Sequence, residues 1–387
     1  MFIFQSKTKI IETDNFINEV IKILKLEKAN KVLVVYDSAI AKSAGINQFA
    51  KKLQKEKSAI QLIPVPPGEP LTTDVDRTGK RLKKNPPGLI VGIGGGSALD
   101  FAKALSVLAV NPGLTEKYHG KPIVIRRSVP KIMIPTTAGT GSEVTPGAVL
   151  TNPKTHFKRA LGGPVVCPEY AILDASLTMS MPRWVTFATA MDALAHAVES
   201  YVCKSSNEIT RMYSRAAYCL LEKNMPKLLT NPEEFETRKK ILLASTLAGV
   251  AIFNSNTGAA HALAYPMGIY LKMPHGLATG ILLPEIIRLN ITKGCHDYAG
   301  LISERPKFTK QQKKELSKKV LHFTISMLKK SRLFKSFNDY PVCGKVDLLA
   351  QKGLDLMPAL KNNPVRVKKA DFKFILAQLL KKSKNLK

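Results

Sequence analysis

The chain has 387 residues, two to three times the roughly 150 residues of a typical domain, so we expect two domains. An apolar fraction of 45% with 23% charged residues excludes a mainly disordered or collagen-like chain. No apolar run reaches the roughly 18 residues of a membrane-spanning helix, and residues 1–7 do not have the pattern of a secretion signal. Because the five cysteines are scattered and never spaced C-x-x-C, we expect neither a disulfide scaffold nor a thiolate zinc site. We therefore expect the protein to be located in the reducing cytoplasm.

The net charge is unusual, since 59 Lys and Arg residues against 29 Asp and Glu residues give +30. Such a surface attracts nucleic acid, anionic membranes or anionic substrates. However, the basic runs at 313–314, 318–319 and 329–330 alternate with apolar residues as on solvated helix faces, without the aromatic pattern of single-strand binding. We therefore do not expect a nucleic-acid partner, and a basic nucleic-acid-binding protein remains an alternative.

The first half of the chain alternates short apolar runs with amphipathic stretches. Residues 31–36, 89–92 and 131–134 are predicted strands, and a helix is predicted over residues 98–110. Continuous apolar strands separated by helices are typical of a parallel sheet covered on both faces.

The chain changes character at about Pro182, where long stretches rich in Ala, Leu and Lys replace the strand-like runs. We predict an α/β domain over residues 1–181 and a helical domain over residues 182–387. No low-complexity linker separates them.

A glycine-rich segment, Gly92-Ile93-Gly94-Gly95-Gly96-Ser97, lies between a predicted strand and a predicted helix. Glycines allow a sharp turn and a close approach to a pyrophosphate, which the free N–H groups at the helix start stabilise. Ser97 and Asp100 have the S-x-x-D spacing of a helix cap. A capped turn without a ligand is the alternative.

Two further strand ends carry polar groups. The segment from Pro135 to Thr145 contains four threonines and follows a predicted strand, at the sheet edge where open α/β sheets bind ligands. Asp37 ends another strand, where its carboxylate can accept from a ribose 2′-OH and repel a 2′-phosphate. The three loops together predict dinucleotide binding, with NAD favoured over NADP.

Titratable residues cluster in the second half. Asp192 and His196 are four residues apart and so share one face of a helix, and His261 and His275 lie 14 residues apart. A carboxylate and an imidazole on an apolar face are costly to bury unless they are paired or bind a metal. For Asp192 and His196 alone, a simple hydrogen bond is the alternative.

Residues 92–103, 135–145, 192–199 and 261–276 resemble, in this order, the motifs of the iron-containing (group III) alcohol dehydrogenases. The resemblance implies that family's dehydroquinate synthase-like architecture: an N-terminal Rossmann-like α/β domain with a parallel sheet that binds dinucleotide, and an all-helical C-terminal domain that binds metal. It also implies one divalent ion, Fe²⁺ or Zn²⁺, bound by Asp192, His196, His261 and His275.

The resemblance implies cofactor contacts at matching positions. Asp37 corresponds to the ribose-binding acid, and Gly95, Gly96 and Ser97 to the pyrophosphate loop. The threonine-loop contacts correspond to Thr136, Thr137, Thr140 and Thr145, and the nicotinamide-side contacts to Val149, Lys158 and Leu177.

The chain departs from the commoner family pattern at Tyr265, where many members have a second histidine four residues after the one matching His261. We include Tyr265 among the candidate catalytic residues, as one possible exit for the substrate proton.

The predicted function is metal-dependent, reversible hydride transfer between an alcohol and NAD. An alternative on the same fold is reduction of a carboxylated or phosphorylated aldehyde, for which the basic charge would help to capture the substrate. A homodimer is the family expectation.

Overall fold

The computed structural model describes residues 3–56, 58–119, 127–155, 158–303 and 308–384. The chain divides into two compact units. One is Ser6–Met181, and the other is Pro182–Lys387 together with Met1–Gln5.

The described strands all belong to the first unit: β1 (Lys9–Glu12), β2 (Lys31–Asp37), β3 (Ala59–Val65), β4 (Leu89–Gly94), β5 (Lys131–Pro135), β6 (Gly147–Thr151), β7 (Lys158–Gly162) and β8 (Tyr170–Leu173). Six of them form a sheet in the order β1-β8-β5-β4-β2-β3, in which every neighbouring pair is parallel. β6 and β7 form a separate antiparallel pair. β2, β4 and β5 lie side by side, so their carboxyl ends meet at one edge.

Four α-helices lie in the part of this unit that the structure describes: α1 (Phe16–Leu26), α2 (Ile46–Lys55), α3 (Thr72–Leu82) and α4 (Gly96–Leu108). Side chains alternate across β2, so that Val32 and Val34 pack in one core cluster with Phe49 of α2. Leu33 packs in a second cluster, on the other face, with Leu99 of α4. Both faces of the sheet are therefore covered, which explains why its strands are continuous apolar runs and confirms the predicted parallel α/β fold.

The second unit contains helices and no β-strand among its described residues, as predicted. Its helices are α5 (Arg183–Val202), α6 (Glu208–Thr230), α7 (Phe235–Asn254), α8 (Ala259–Leu271), α9 (His275–Thr292), α10 (Ala299–Ile302), α11 (Lys310–Lys330), α12 (Val346–Leu354), α13 (Met357–Asn362) and α14 (Lys369–Lys384). Local sequence sets several of the starts. Thr309 and Gln312 form a capping box at α11, and Pro182 precedes the first residue of α5.

Among the described residues, no single helix has the length and apolar composition to cross a membrane. α7 and α8 meet that test only as a pair, and they are bent by 103° relative to each other.

Candidate dinucleotide loops and metal centre

The turn from β4 into α4 depends on Gly94, whose φ of 155° is a conformation that side chains rarely adopt. A Cβ at this position would lie 2.7 Å from the Cβ of Ala98 and 2.9 Å from the Cβ of Asp37. The glycine therefore lets Asp37, at the end of the neighbouring strand, approach the loop closely.

The glycine loop packs against the threonine loop. A Cβ at Gly96 would lie 2.8 Å from Cγ2 of Thr140, and one at Gly95 would lie 3.3 Å from Cγ2 of Thr137. The backbone N–H of Thr136 donates to the carbonyl of Gly94 at 3.0 Å. The structure thus brings the glycine loop of the sequence analysis together with Thr136, Thr137 and Thr140 of the threonine loop.

The predicted Ser97–Asp100 helix cap is wrong. Gly95 is the N-cap residue of α4, no side chain caps it, and Ser97 lies half-buried inside the first turn. The Asp100 carboxylate instead accepts from Oγ of Ser142 at 2.6 Å and from the backbone N–H of Val149 at 2.9 Å. The Asp100 carboxylate therefore binds groups that are distant in the sequence and does not form the helix cap that its local spacing had predicted.

Lys103 ties the same loops together, and the sequence reasoning missed it. Its side chain is 0% exposed, and Nζ pairs with Oδ1 of Asp100 at 2.9 Å. It also donates to the Ser142 carbonyl at 2.9 Å, to Oγ1 of Thr145 at 3.3 Å and to the carbonyl of Gly147. The available signal was a lysine flanked by apolar residues on both sides, in the segment Phe101-Ala102-Lys103-Ala104-Leu105 of α4.

The remaining candidate cofactor residues lie in different surroundings. Asp37 accepts from the backbone N–H of Ala39 at 2.9 Å and so caps a short 3₁₀ helix. The Lys158 side chain is only 5% exposed, and its Nζ lies 2.5 Å from Oε1 of Glu69. Val149 lies on β6, and Leu177 is buried in the core cluster that contains Phe49.

Three of the predicted metal ligands converge from α5, α8 and α9. The ligand atoms of Asp192, His261 and His275 all lie within 4.8 Å of one another. Oδ1 of Asp192 is 3.7 Å from Nε2 of His261 and 3.8 Å from Nε2 of His275, too far for hydrogen bonds. Two ligands about 2.1 Å from one tetrahedral ion would be about 3.4 Å apart, so the spacing is close to that of a shared ion.

The fourth predicted ligand, His196, lies beside this group. It follows Asp192 by one helical turn on α5, and its ring stacks on that of His261 with a centroid distance of 4.6 Å and an interplanar angle of 21°. It is not among the residues whose ligand atoms are all within 4.8 Å of one another.

Glu199 orients His261, and the sequence reasoning gave it no role. Oε2 of Glu199 lies 2.5 Å from Nδ1 of His261, and Oε1 accepts from the backbone N–H of Ala260 at 2.7 Å. A carboxylate that accepts from Nδ1–H leaves Nε2 as the lone-pair nitrogen, directed at Asp192. Nε2 is buried and has no hydrogen-bond partner among the described residues, which fits a cation at this point.

The charges of the cluster also fit a cation. Burial raises the pKa of Asp192, but His196, His275, His261 and the Thr279 hydroxyl outweigh it, so the net shift is downward and the carboxylate is ionised. Burial lowers the pKa of His261, yet Glu199 and Asp192 together shift it upward. The two buried carboxylates thus favour positive charge here, from a proton or from a metal ion.

Tyr265 lies near this cluster. It follows His261 by one turn on α8, and its ring centroid is 5.4 Å from that of His275 with an interplanar angle of 37°. The tyrosine is half-buried.

Profiles of known families match nearly the whole chain. The iron-containing alcohol dehydrogenase profile matches residues 7–175, and the profile of the C-terminal domain of the Fe-containing alcohol dehydrogenase family matches residues 186–380. The chain therefore belongs to the iron-containing alcohol dehydrogenase family, a class of oxidoreductases that act on alcohol groups, and the resemblance seen in the sequence is confirmed.

Individual relatives agree with this assignment. Probable alcohol dehydrogenase EutG of Escherichia coli (strain K12) is 36% identical over 259 residues, which are 67% of the chain and 66% of that protein, just under two thirds of its length. The NAD-dependent methanol dehydrogenase of Bacillus methanolicus is 33% identical over 268 residues, 69% of the chain and 70% of that protein.

Solved structures cover more of the chain. A crystal structure of 1,3-propanediol oxidoreductase has a TM-score of 0.89 and 27% identity, over 98% of the chain and 100% of that structure. Sulfoacetaldehyde reductase from Bifidobacterium kashiwanohense, in complex with NAD⁺, has a TM-score of 0.84 and 25% identity over 98% of each chain. The predicted architecture is confirmed.

Proposed function

We propose that this chain catalyses reversible hydride transfer between an alcohol and NAD, with Fe²⁺, or alternatively Zn²⁺, as the resident metal. The observation that carries the proposal is the buried cluster of Asp192, His261 and His275, whose ligand atoms lie within 4.8 Å of one another. His196, stacked on His261, is the fourth ligand that we assign.

When bound, such a metal acts as a Lewis acid that lowers the pKa of an alcohol oxygen. The residues of the chain prepare its site. Thr279 donates to Oδ1 of Asp192 at 2.8 Å and orients the carboxylate, while Glu199 fixes the ring of His261. Tyr265 is a candidate to pass a proton through its hydroxyl, and its ring packs near His275.

We assign dinucleotide binding to residues 1–181 and metal binding to residues 182–387. The loops after β2, β4 and β5 support the first assignment. The Asp37 carboxylate can bind a ribose hydroxyl of the dinucleotide, and its pyrophosphate can bind at Gly95, Gly96 and Ser97. The threonine loop can bind the other polar groups of the dinucleotide. Val149, Lys158 and Leu177 are proposed to contact the nicotinamide side.

Two relatives support NAD rather than NADP, since one is named NAD-dependent and another was solved with NAD⁺. We further propose a homodimer in the cytoplasm. The five free cysteines agree with a reducing compartment.

Substitution of the metal ligands tests the proposal. Asp192→Ala and His275→Ala should abolish alcohol oxidation and lower bound metal, with circular dichroism unchanged, because each removes one of few ligands. His322→Ala, which removes an exposed histidine on α11, is the matched control. Stoichiometric metal and normal turnover in both ligand variants would refute the assignment.

A second candidate is reduction of an anionic aldehyde. The similarity to a sulfoacetaldehyde reductase and the net charge of +30 favour it, because a basic protein attracts anionic substrates. A panel of neutral and carboxylated, phosphorylated or sulfonated aldehydes with NADH separates the two activities. A kcat/KM that is higher for the anionic aldehydes and falls with salt would select this candidate.

A further inference from the structure

A pocket of about 340 Å³ lies in the helical unit, and its lining includes none of the proposed metal ligands. Its walls come from α9, α11, α14 and the 3₁₀ helix Leu333–Asp339. Its first residue on α9, Pro284, follows His275 by nine residues, about 13 Å along a helix axis.

The interior of the pocket is apolar. Two of the lining residues, Leu328 on α11 and Leu379 on α14, are buried core residues. Phe334, which also lines the pocket, stacks on Phe337 with a distance of 5.5 Å between the ring centroids. The volume is at the small end of the range for ligand pockets, roughly 300–1,000 Å³. It suits one acyl chain rather than a lipid with two chains.

The rim of the pocket is strongly basic. Five cationic side chains line it against one carboxylate, that of Glu285: Arg288, Lys329, Arg332, Lys335 and Lys382. Glu285 is already engaged, since Oε1 lies 2.5 Å from Nζ of Lys382 and Oε2 lies 3.5 Å from Nε of Arg288.

Three of the rim cations are not neutralised. Within the part of the chain that the structure describes, Lys329, Arg332 and Lys335 form no ion pair, and all three are exposed. An anionic head group at the rim would complement them, whereas a cationic one would be repelled. Phe334 is the one aromatic residue in the lining, so a platform for successive nucleic-acid bases is absent from this pocket.

We propose that this pocket binds a single-chain amphiphilic anion, a medium-chain carboxylate, with its acyl chain among the apolar walls and its carboxylate at the rim formed by Lys329, Arg332 and Lys335. The proposal is independent of the redox activity, because none of these residues belongs to the candidate metal or dinucleotide site.

Isothermal titration of the full-length protein with octanoate, nonanoate and decanoate, below their micelle concentrations, tests the site. The dissociation constant should fall about fourfold per added methylene, the equivalent of about 0.8 kcal/mol for each buried CH₂. Neutral decanamide should bind more weakly than decanoate. Absence of saturable decanoate binding, or equal affinity for decanamide, would overturn the proposal.

Variants locate the binding. Lys329→Glu with Lys335→Glu should weaken decanoate binding by about tenfold or more, because two exposed cations become anions. Lys318→Glu with Lys319→Glu changes the same net charge on exposed positions of α11 outside the pocket and should leave the affinity unchanged. If both double variants weakened decanoate binding equally, net charge alone would explain the loss of affinity, and the proposed site would be refuted.

Two further variants test whether decanoate binds in this pocket or elsewhere on the protein. Ile325→Trp fills the half-buried apolar wall and should remove the dependence on chain length. Asp192→Ala should leave decanoate affinity intact, and loss of affinity there would place the carboxylate at the metal centre instead. Retention on phosphatidylglycerol vesicles without saturable decanoate binding would point to a membrane surface and refute the proposal.

Discussion

The carboxylate of Glu199 lies 2.5 Å from Nδ1 of His261, although 62 residues separate the two in the chain. Both side chains are buried, and a second carboxylate, that of Asp192, lies on the Nε2 side of the same ring. The imidazole thus lies between two acids, and its hydrogen bond to Glu199 fixes the orientation of the ring.

Glu199→Gln should lower the affinity for a divalent metal by about 10- to 100-fold, as expected for a group that orients a ligand. The amide keeps the shape of the side chain but lacks its charge. Competition of Zn²⁺ or Co²⁺ against a chelator measures the affinity without any activity assay. Glu222→Gln, which alters a carboxylate bonded to the Tyr218 hydroxyl, is the control, and identical metal affinity in both variants would contradict the role of Glu199.

Asp37→Asn should narrow the preference for NAD over NADP by about tenfold, because the amide no longer repels a 2′-phosphate. The Asn oxygen can still accept from the backbone N–H of Ala39, so the local cap is retained. The measurement is kcat/KM for each cofactor. Glu116→Gln removes an exposed charge of the same unit as a control, and a wild-type enzyme that works better with NADP would contradict the assignment.

Tyr265→Phe should lower turnover by about tenfold while the metal content stays the same, since the ring near His275 remains and only the hydroxyl is lost. Metal analysis and steady-state kinetics check both parts. Tyr270→Phe removes a hydroxyl from the same helix and should leave turnover unchanged. If Tyr265→Phe also keeps full turnover, the tyrosine is a packing residue and the proton leaves by another route.

Lys131 should make the stability of the sheet domain depend on pH. Burial lowers its pKa from 10.5 to about 8, although Glu169 opposes the shift. Between these two values the unfolded chain binds more protons than the folded chain, so stability should rise with pH. Relative to Lys131→Met, the free energy of unfolding should increase by about 1.4 kcal/mol per pH unit within this window and not change below it.

Urea unfolding of both proteins at several pH values measures the Lys131 effect. Lys51→Met, which removes an exposed lysine of α2, controls for the loss of one charge. A difference between wild type and Lys131→Met that is constant from pH 8 to pH 10.5 would show that the lysine titrates alike in both states.

Sequence patterns alone were enough to locate several strands, a helix and the loops that carry the candidate chemistry. Strands predicted over residues 31–36, 89–92 and 131–134 correspond to β2, β4 and β5, and the helix predicted over 98–110 corresponds to α4. These segments are recognisable because a buried parallel strand is apolar along its whole length and punctuated by glycine or proline. Asp192 and His196 stood out as polar residues on an apolar helical face, whereas the full set of four candidate metal ligands came from the resemblance to the family.

The contacts that those residues make became visible only in the folded chain. Local spacing assigned Asp100 to a helix cap, but the folded chain directs it to Ser142 and Val149, more than 40 residues away. Glu199, Lys103 and the pocket between α9, α11 and α14 went unrecognised for the same reason. The periodicity of apolar residues and the spacing of polar residues predict a single helix, strand or turn. The partner of a buried charged group depends instead on which distant elements pack beside it.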